Sequence, residues 1–402
     1  MKVGIVAPVE TSSITDLLGD AAAHAPPGYP GAPFVGTLTR SLLARGHQVS
    51  LYTTDSSLLP TQNKPIVVHG ERVTVYYCPS RQRSFSPQNG RLGRMVDFFR
   101  FERQGLVNAI QQDCPDVVHG HWAYEFAWAA MDSRRPHIIT FHDAPLKILR
   151  HMPNLYRLGR YLMSRRTINS SCLKTTVSPY MQQELLQWAG CTTELVANPI
   201  DSTWFSAALA PQERDLSKPK IAMIINGWGK RKNPEPAFRA FSRVCALIPA
   251  SELHVFGADF GLHEKAYLWC EKNNLGHNVL FHGRVPYVEL KQKLAEMTLL
   301  VHPALEESFG MTLAEAMALA VPVIGGADSG AVPWVCEGGK AGTLVDVCDE
   351  KAIADAMLQL LADPAKYNEM ALYAQQSAKA RFSAMVVAED YEKYYLQAVH
   401  GN

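Results

Sequence analysis

The chain has 402 residues, 39 Lys+Arg against 38 Asp+Glu, and 47% hydrophobic residues. That length is long for one hydrophobic core, and the balanced composition is that of a soluble globular protein, so two domains of about 200 residues are expected. No run of about 18 uncharged apolar residues occurs, which excludes a membrane-spanning helix. The eight cysteines lie singly, without Cys-x-x-Cys spacing. They fit a reducing cytosol better than a zinc site or a disulfide frame. Charge is unevenly shared: residues 1–200 carry 20 Lys+Arg against 14 Asp+Glu, and residues 201–402 carry 19 against 24.

From the N-terminus, apolar runs alternate with helical patterns: VGIVAP (3–8), VSLYTT (49–54), VTVYY (73–77), DVVHG (116–120), HIITF (137–141) and KTTVS (174–178). This alternation predicts a parallel sheet with helices on both faces. The opening MKVGIVAPVE reads as a first strand, with no long apolar signal core behind it. A long loop follows, ending HAPPGYPGAP (24–33), where Gly28 and Gly31 flank Tyr29. It stands at the carboxyl end of strand one, where open α/β sheets bind ligands. The helix PFVGTLTRSLLARG (33–46) then turns at Gly46 into His47, which reads as structural.

Four histidines stand near strand ends: His119, His121, His137 and His142. A single histidine is more often a satisfied core residue than a functional one. His142 is the exception, because it follows a buried strand in IITFHDAP (138–145) and faces the expected cleft. A neutral imidazole there can orient a ligand through a hydrogen bond, and a protonated one can stabilise negative charge. Beyond it, residues 144–183 hold seven bases and no acid, interleaved with leucines and tyrosines. An earlier basic set comprises Arg81, Arg83, Arg91, Arg94, Arg100 and Arg103. Segments 81–103 and 144–174 are either solvated helix faces or cationic surfaces for peripheral contact with an anionic membrane. No nucleic-acid-binding motif accompanies them, so nucleic acid is not an expected partner.

TELVANPID (193–201) ends the first half, and APQERDLSKPK (210–220) is the linker candidate. A second alternation follows: IAMIING (221–227), ELHVFGAD (252–259), NVLFHGRV (278–285), TLLVHP (298–303), VPVIGG (321–326) and GTLVDV (342–347). Two doubly wound domains are therefore expected, 1–200 and 201–379, with a final amphipathic helix in 380–402. The loop INGWGKRKNPEPAF (225–238) sets Lys230, Arg231 and Lys232 beside two glycines and ahead of a helix.

The stretch EESFGMTLAEAMALAVPVIG (306–325) is the most informative in the chain. Seven residues separate Glu307 from Glu315, and the small turn Ser308–Thr312 between them leads from a buried strand into an apolar helix. Backbone N–H groups at such a helix start hold phosphate. Carboxylates on either side accept hydrogen bonds from sugar hydroxyls. Thr312 and Glu315 equally fit Thr-x-x-Glu, a capping box that would do no more than close the helix. Both readings stand at this point.

The order Pro303, Glu307, Phe309-Gly310, Glu315-Ala316-Met317-Ala318, Pro322-Val323-Ile324 resembles the nucleotide-sugar site of retaining glycosyltransferases of family four. The resemblance implies a GT-B fold of two Rossmann-like domains facing across a cleft, with the final helix crossing back to the first domain. It implies transfer of a hexose-type sugar from a nucleoside diphosphate sugar to an acceptor hydroxyl on a saccharide, a lipid-linked molecule or a small molecule, with retention. His142 and Glu307 are the implied catalytic groups. Gly31, Arg231, Lys232, Arg284, Val285, Phe309, Gly310, Met311, Thr312 and Glu315 are the implied donor contacts. Ala32 after Gly31, and Gly227-Trp228 where the family has an Arg, depart from the pattern. No Asp-x-Asp occurs, so neither metal nor other cofactor is expected. A nucleotide-sugar epimerase or hydrolase, and a non-catalytic nucleotide-sugar-binding protein, are the alternatives. The expected location is the cytoplasm, peripheral at the membrane if the basic segments bind it.

Overall fold

Short apolar runs buried on both faces build the strands, as parallel sheets flanked by helices require. The computed structural model describes residues 1–58, 64–87 and 90–401. The chain divides into two units, one of Met1–Pro199 with Ala384–Asn402 and one of Ile200–Ser383.

Among the described residues, the first unit holds β1 (Lys2–Val6), β2 (Gln48–Asp55), β3 (Ile66–His69), β4 (Val73–Pro79), β5 (Val117–His121), β6 (His137–Phe141), β7 (Leu173–Thr176) and β8 (Glu194–Leu195). They form one sheet in the order β3-β4-β2-β1-β5-β6-β7-β8. All neighbours are parallel except β3, which runs antiparallel to β4 along the edge. This short strand corrects the all-parallel expectation. Ile66 and Val67 are exposed, so it lacks the double-sided burial by which the other strands announce themselves.

The long loop after β1 is ordered. Tyr29 N–H donates to Val9 O, and Gly28 N–H donates to Asp55 Oδ2 at 2.7 Å. Gly28 has φ +80°, and a Cβ there would lie 2.2 Å from Val9 O, so glycine is required. The helix Ala384–His400 belongs to this unit although the helix before it, Pro364–Phe382, belongs to the other. Arg45 grips Glu392 with two 2.6 Å hydrogen bonds, and His47 reaches the same carboxylate at 2.7 Å. The apolar side of that helix carries a polar core: Tyr395 OH meets His119 Nδ1 at 2.8 Å, while His119 Nε2 meets Thr140 Oγ1 at 2.7 Å. Thr140 in turn contacts Thr175 and Tyr391 OH.

The second unit carries, among the described residues, β9 (Lys220–Ile224), β10 (Glu252–Phe256), β11 (Val279–Gly283), β12 (Leu299–His302), β13 (Val323–Gly326) and β14 (Thr343–Val345). Their order is β11-β10-β9-β12-β13-β14, all parallel. Ile221, Met223, Phe238, Phe241, Val255 and Leu299 are among the residues of its core. The stretch 210–220 is not a free linker. Arg214 is buried within this unit and donates to Leu319 O and Ala320 O, both at 2.9 Å, closing the end of the helix Met311–Ala318.

The basic segments are less available than their composition implies. Arg81 is buried and fully engaged by Glu102 and Asp97. Arg103 and Arg166 pair with Asp132, Arg160 with Glu125, and Lys147 with Glu184. Acids distant in sequence thus pair with these five bases. Residues 88 and 89 of segment 81–103 lie outside the described residues. Leu155, Leu158 and Leu162, spaced along one face of the helix Leu155–Ile168, are exposed. No helix among the described residues is long and apolar enough to cross a membrane.

Because the Tyr395 hydroxyl is buried against His119, Tyr395→Phe leaves an imidazole nitrogen unpaired. A loss of about 1–3 kcal/mol is expected in urea unfolding of the variant. An unchanged midpoint would show that the hydroxyl contributes nothing there.

Candidate functional site

The carboxyl ends of adjacent strands β9 and β12 bring two loops together in the second unit. The first runs from Ile225 to Asn233, ahead of the helix Pro234–Leu247. Asn233 adopts φ +48°, and its Nδ2 donates to Pro303 O at 3.1 Å and Val347 O at 2.9 Å. Leu305 N–H donates to Arg231 O at 2.9 Å. The two loops thus form one rim.

Across that rim, Lys232 Nζ lies 2.5 Å from Glu307 Oε1, and His302 Nε2 lies 3.3 Å from the same oxygen. Burial alone would push the Glu307 carboxyl up. The Lys232 ammonium, and His302 after it, overcome this and hold Glu307 well below the usual carboxylate range. Arg231 Nη1 donates to Glu306 O at 3.1 Å and stands 3.3 Å from Glu306 Oε2. Both bases expected at a phosphate therefore already hold carboxylates.

The turn after Glu307 passes through Gly310 at φ +94°, where a side chain would be strained and a Cβ would come within 3.0 Å of Leu313. Glycine here lets Met311 begin the helix Met311–Ala318 at once. Leu313 and Ala314 N–H donate to Gly310 O, while the first-turn amides of Met311 and Thr312 precede the first intrahelical bonds. Phe309 is not at the rim. It is buried edge-on to Trp334 and Phe382, anchoring the turn, so only its backbone remains for a ligand.

The capping box does not form. The helix is capped by Gly310 without a side-chain bond, and Thr312 Oγ1 instead lies 3.3 Å from His302 Nδ1. Glu315 is 3% exposed and accepts a 2.6 Å hydrogen bond from Tyr287 OH. Tyr287 in turn packs on buried Trp204, ring centroids 5.4 Å apart. Burial pushes the Glu315 carboxyl up to about 7, against the pull of the Tyr287 hydroxyl. Arg284 is exposed in the loop after β11, and half-buried Val285 follows it, two residues before Tyr287.

Gly31 and His142 belong to the first unit. Gly31 is exposed at φ +110°, just before the helix Pro33–Ala44, with open space where a Cβ would lie. His142 follows β6, with His121 Nδ1 2.8 Å from its Nε2 and Phe34 and Trp122 against its ring. Burial, then the neighbouring His121, hold His142 well below the ordinary imidazole range, against the pull of Asn198. Burial thus favours the neutral imidazole in the ligand-free protein. Sequence reasoning did not reach Tyr287, His302, Asn233, Asn198 or the pairing of His121 with His142. Each looks locally like a strand end, a helix start or a turn, and only the period-breaking polar residues at strand ends, such as His302 after LLV, carried a signal.

The Glu315 environment fixes a sign. Its folded value, about 7, lies above the ordinary 4.5, so between those pH values the folded protein keeps a proton the unfolded chain has lost. Stability from this group is full below about pH 4.5 and lost as pH rises through 7. Glu315→Gln should therefore stabilise the protein at pH 8 by roughly 2–3 kcal/mol and little at pH 5. Denaturant titrations at both pH values test this. An equal effect at both would place the carboxyl in an ordinary environment.

The "Glycosyltransferase Family 4" model matches residues 32–204, and the "Glycosyl transferases group 1" model matches residues 208–377. The N-acetyl-alpha-D-glucosaminyl L-malate synthase of Bacillus anthracis is 26% identical over 384 residues, 92% of this chain and 94% of that protein. The sucrose-phosphate synthase of Thermosynechococcus elongatus superposes over 100% of both chains with a TM-score of 0.76 at 17% identity. Anabaena HepE in complex with UDP-glucose superposes with a TM-score of 0.65 at 17% identity, covering 98% of each chain. These likenesses give the two Rossmann-like domains their fold, GT-B. With one family model on each half, the chain belongs to the group 1 glycosyltransferases that open with a family 4 domain, and it is a transferase enzyme.

Proposed function

We propose that the protein moves a hexose-type sugar from a nucleoside diphosphate sugar to the hydroxyl of a small anionic acceptor, with retention at the anomeric carbon. The observation that carries this reading is the division of labour between two carboxylates eight positions apart. Glu307 is held ionised by Lys232, whereas Glu315 is buried with one phenol for a partner. The second has acceptor capacity left for ribose hydroxyls, and the first, with Lys232, for the sugar and its leaving diphosphate.

In this reading Lys232, Arg231 and the amides of Gly310–Thr312 receive the diphosphate, and Arg284 and Val285 border the base. The bond from the anomeric carbon to the diphosphate oxygen breaks as the acceptor oxygen forms its own bond on the same face. The acceptor proton passes to the departing phosphate oxygen, so no side-chain base is needed. Fixed positive charge that strengthens its hold as the leaving group gains charge lowers the barrier. Transfer is expected to continue with EDTA present, the ammonium and helix amides serving as the electrophile. The protein is read as cytoplasmic.

For the acceptor, the malate synthase and the sucrose-phosphate synthase both carry an anion in their names. In this chain Glu125, Arg94, Tyr156 and Arg160 all lie near enough to act on Tyr29, with Tyr156 and Arg160 on the helix Leu155–Ile168 and Arg160 paired with Glu125. Arg94 Nε and Arg160 Nε are shielded and lack hydrogen-bond partners. Such donors suit a carboxylate or phosphate beside the reacting hydroxyl. A lipid-linked acceptor is the second reading, favoured by exposed Leu155, Leu158 and Leu162 beside exposed Arg150 and Arg165. Flotation with anionic vesicles, with and without Leu158→Glu, separates the two.

Calorimetry with UDP, GDP, ADP and dTDP should find one diphosphate bound, weakened about 10- to 100-fold at pH 8 in Glu315→Ala, the loss of hydrogen bonds to a charged group. Equal affinity in wild type and variant would remove Glu315 from the donor site. NMR of the product should report the donor's anomeric configuration, and an inverted product would overturn the mechanism. Free sugar epimer released from donor alone would favour the epimerase alternative.

A further inference from the structure

The helices Arg100–Asp113 and Glu125–Asp132 of the first unit line a cavity of about 470 Å3. It shares no residue with the candidate site. Arg100, Arg103 and Arg134 are its bases, Gln104 and Gln111 its amides, and Asp132 its one acid. Val107 and Met131 complete the lining. A volume of this size is that of a small-ligand site.

The charge here is not balanced. Asp132 is shared: Arg103 Nη1 stands 2.9 Å from one carboxylate oxygen, and Arg166 pairs with the other. Both guanidiniums also lie over the Trp128 ring, 4.7 and 4.6 Å from its centroid. One carboxylate thus holds two like charges side by side. Burial pushes the Arg103 guanidinium down, Asp132 pulls it up, and Arg166 pushes it down again. Arg103 gives Nε to Phe98 O and Nη1 to Asp132, which leaves Nη2 for a ligand. Arg100 and Arg134 are exposed, and neither pairs with an acid among the described residues.

The backbone accepts strain at one of these bases. Ser133 ends the helix Glu125–Asp132, and Arg134 follows at φ +60°, the left-handed position where glycine is usual. We propose that this cavity binds the phosphate group of a soluble phosphorylated small molecule, with Arg100, Arg103 and Arg134 donating to its oxygens. Guanidinium forks match phosphate oxygens in pairs, and a dianion among them offsets their repulsion. A membrane surface fits less well, because Val107 is buried and Met131 half-buried, so neither stands out to enter a lipid layer.

Fluorine NMR of the full chain carrying 5-fluorotryptophan reads the cavity through Trp128, whose signal Trp128→Phe assigns. Inorganic phosphate and glucose 6-phosphate are titrated at constant ionic strength, with sodium chloride as the control. Both phosphates are expected to shift the Trp128 signal saturably, and chloride is not. Arg134→Gly removes the charge and suits the left-handed backbone. It should weaken phosphate binding about tenfold while its Tm stays at the wild-type value or rises. Arg100→Gln should weaken binding to a similar degree, about tenfold.

A Trp128 shift that stays linear in phosphate, or that chloride reproduces, reduces the effect to charge screening and overturns the site. Wild-type affinity in both Arg134→Gly and Arg100→Gln overturns it as well. Vesicles of equal phosphatidylcholine and phosphatidylglycerol supply the last arm. Co-sedimentation that both variants lose, with no Trp128 shift from soluble phosphate, would assign these arginines to a lipid surface instead.

Discussion

The partly buried Lys232–Glu307 ion pair is the constraint on which the second unit's site depends. It joins two loops that leave adjacent strands, and the Asn233 amide and the Leu305–Arg231 bond hold those loops in register around it. A buried pair is costly to form because both ions lose water, and removing one partner strands the other. The same cost makes the pair responsive. Under the proposed function, a phosphate arriving at Lys232 would compete with Glu307 and free carboxylate acceptor capacity for sugar hydroxyls.

Glu315 is placed under the opposite rule. Its helix packs into the core, with Ala314, Ala316, Met317 and Ala318 all buried, and the carboxyl is carried in with them. One phenolic hydrogen bond does not offset that desolvation, so the group sits near its protonation midpoint at neutral pH. Sites built for ligands often hold polar groups that the free protein leaves partly unsatisfied, at a cost in stability. Glycine at 310 contributes differently, through a left-handed turn after which Met311 begins the helix at once.

In the first unit, burial keeps His119, His121 and His142 neutral, and hydrogen bonding gives each a fixed role. His119 ties the sheet to Tyr395 of the last helix, and His121 turns to His142. One strand, β5, thus supplies a structural histidine and a site histidine two residues apart on the same side of the sheet. Their rings stand 3.9 Å apart, so the polar core beneath the C-terminal helix and the rings around His142 share a single packed layer.

Much of this was legible in the amino-acid order. Alternating apolar runs carry the two parallel sheets, because strands buried on both faces cannot be written in polar residues. The Glu307–Glu315 spacing around Gly310 carries the strand-turn-helix, because it depends on neighbours within ten residues. Edge strand β3 was not legible, since an edge needs one buried face and Val68 alone supplies it. Nor was the fate of Arg81, Arg160 and Arg214, whose partners Asp97, Glu125 and Ala320 lie 16, 35 and 106 residues away. Tertiary structure alone replaced the capping box with a cap at Gly310 and gave Glu315 its partner Tyr287, which lies 28 residues upstream. It also decided the charge of His142, which depends on how much water its neighbours exclude. Local order specifies backbone geometry and which faces are buried, whereas protonation and pairing follow from the field of groups that only folding assembles.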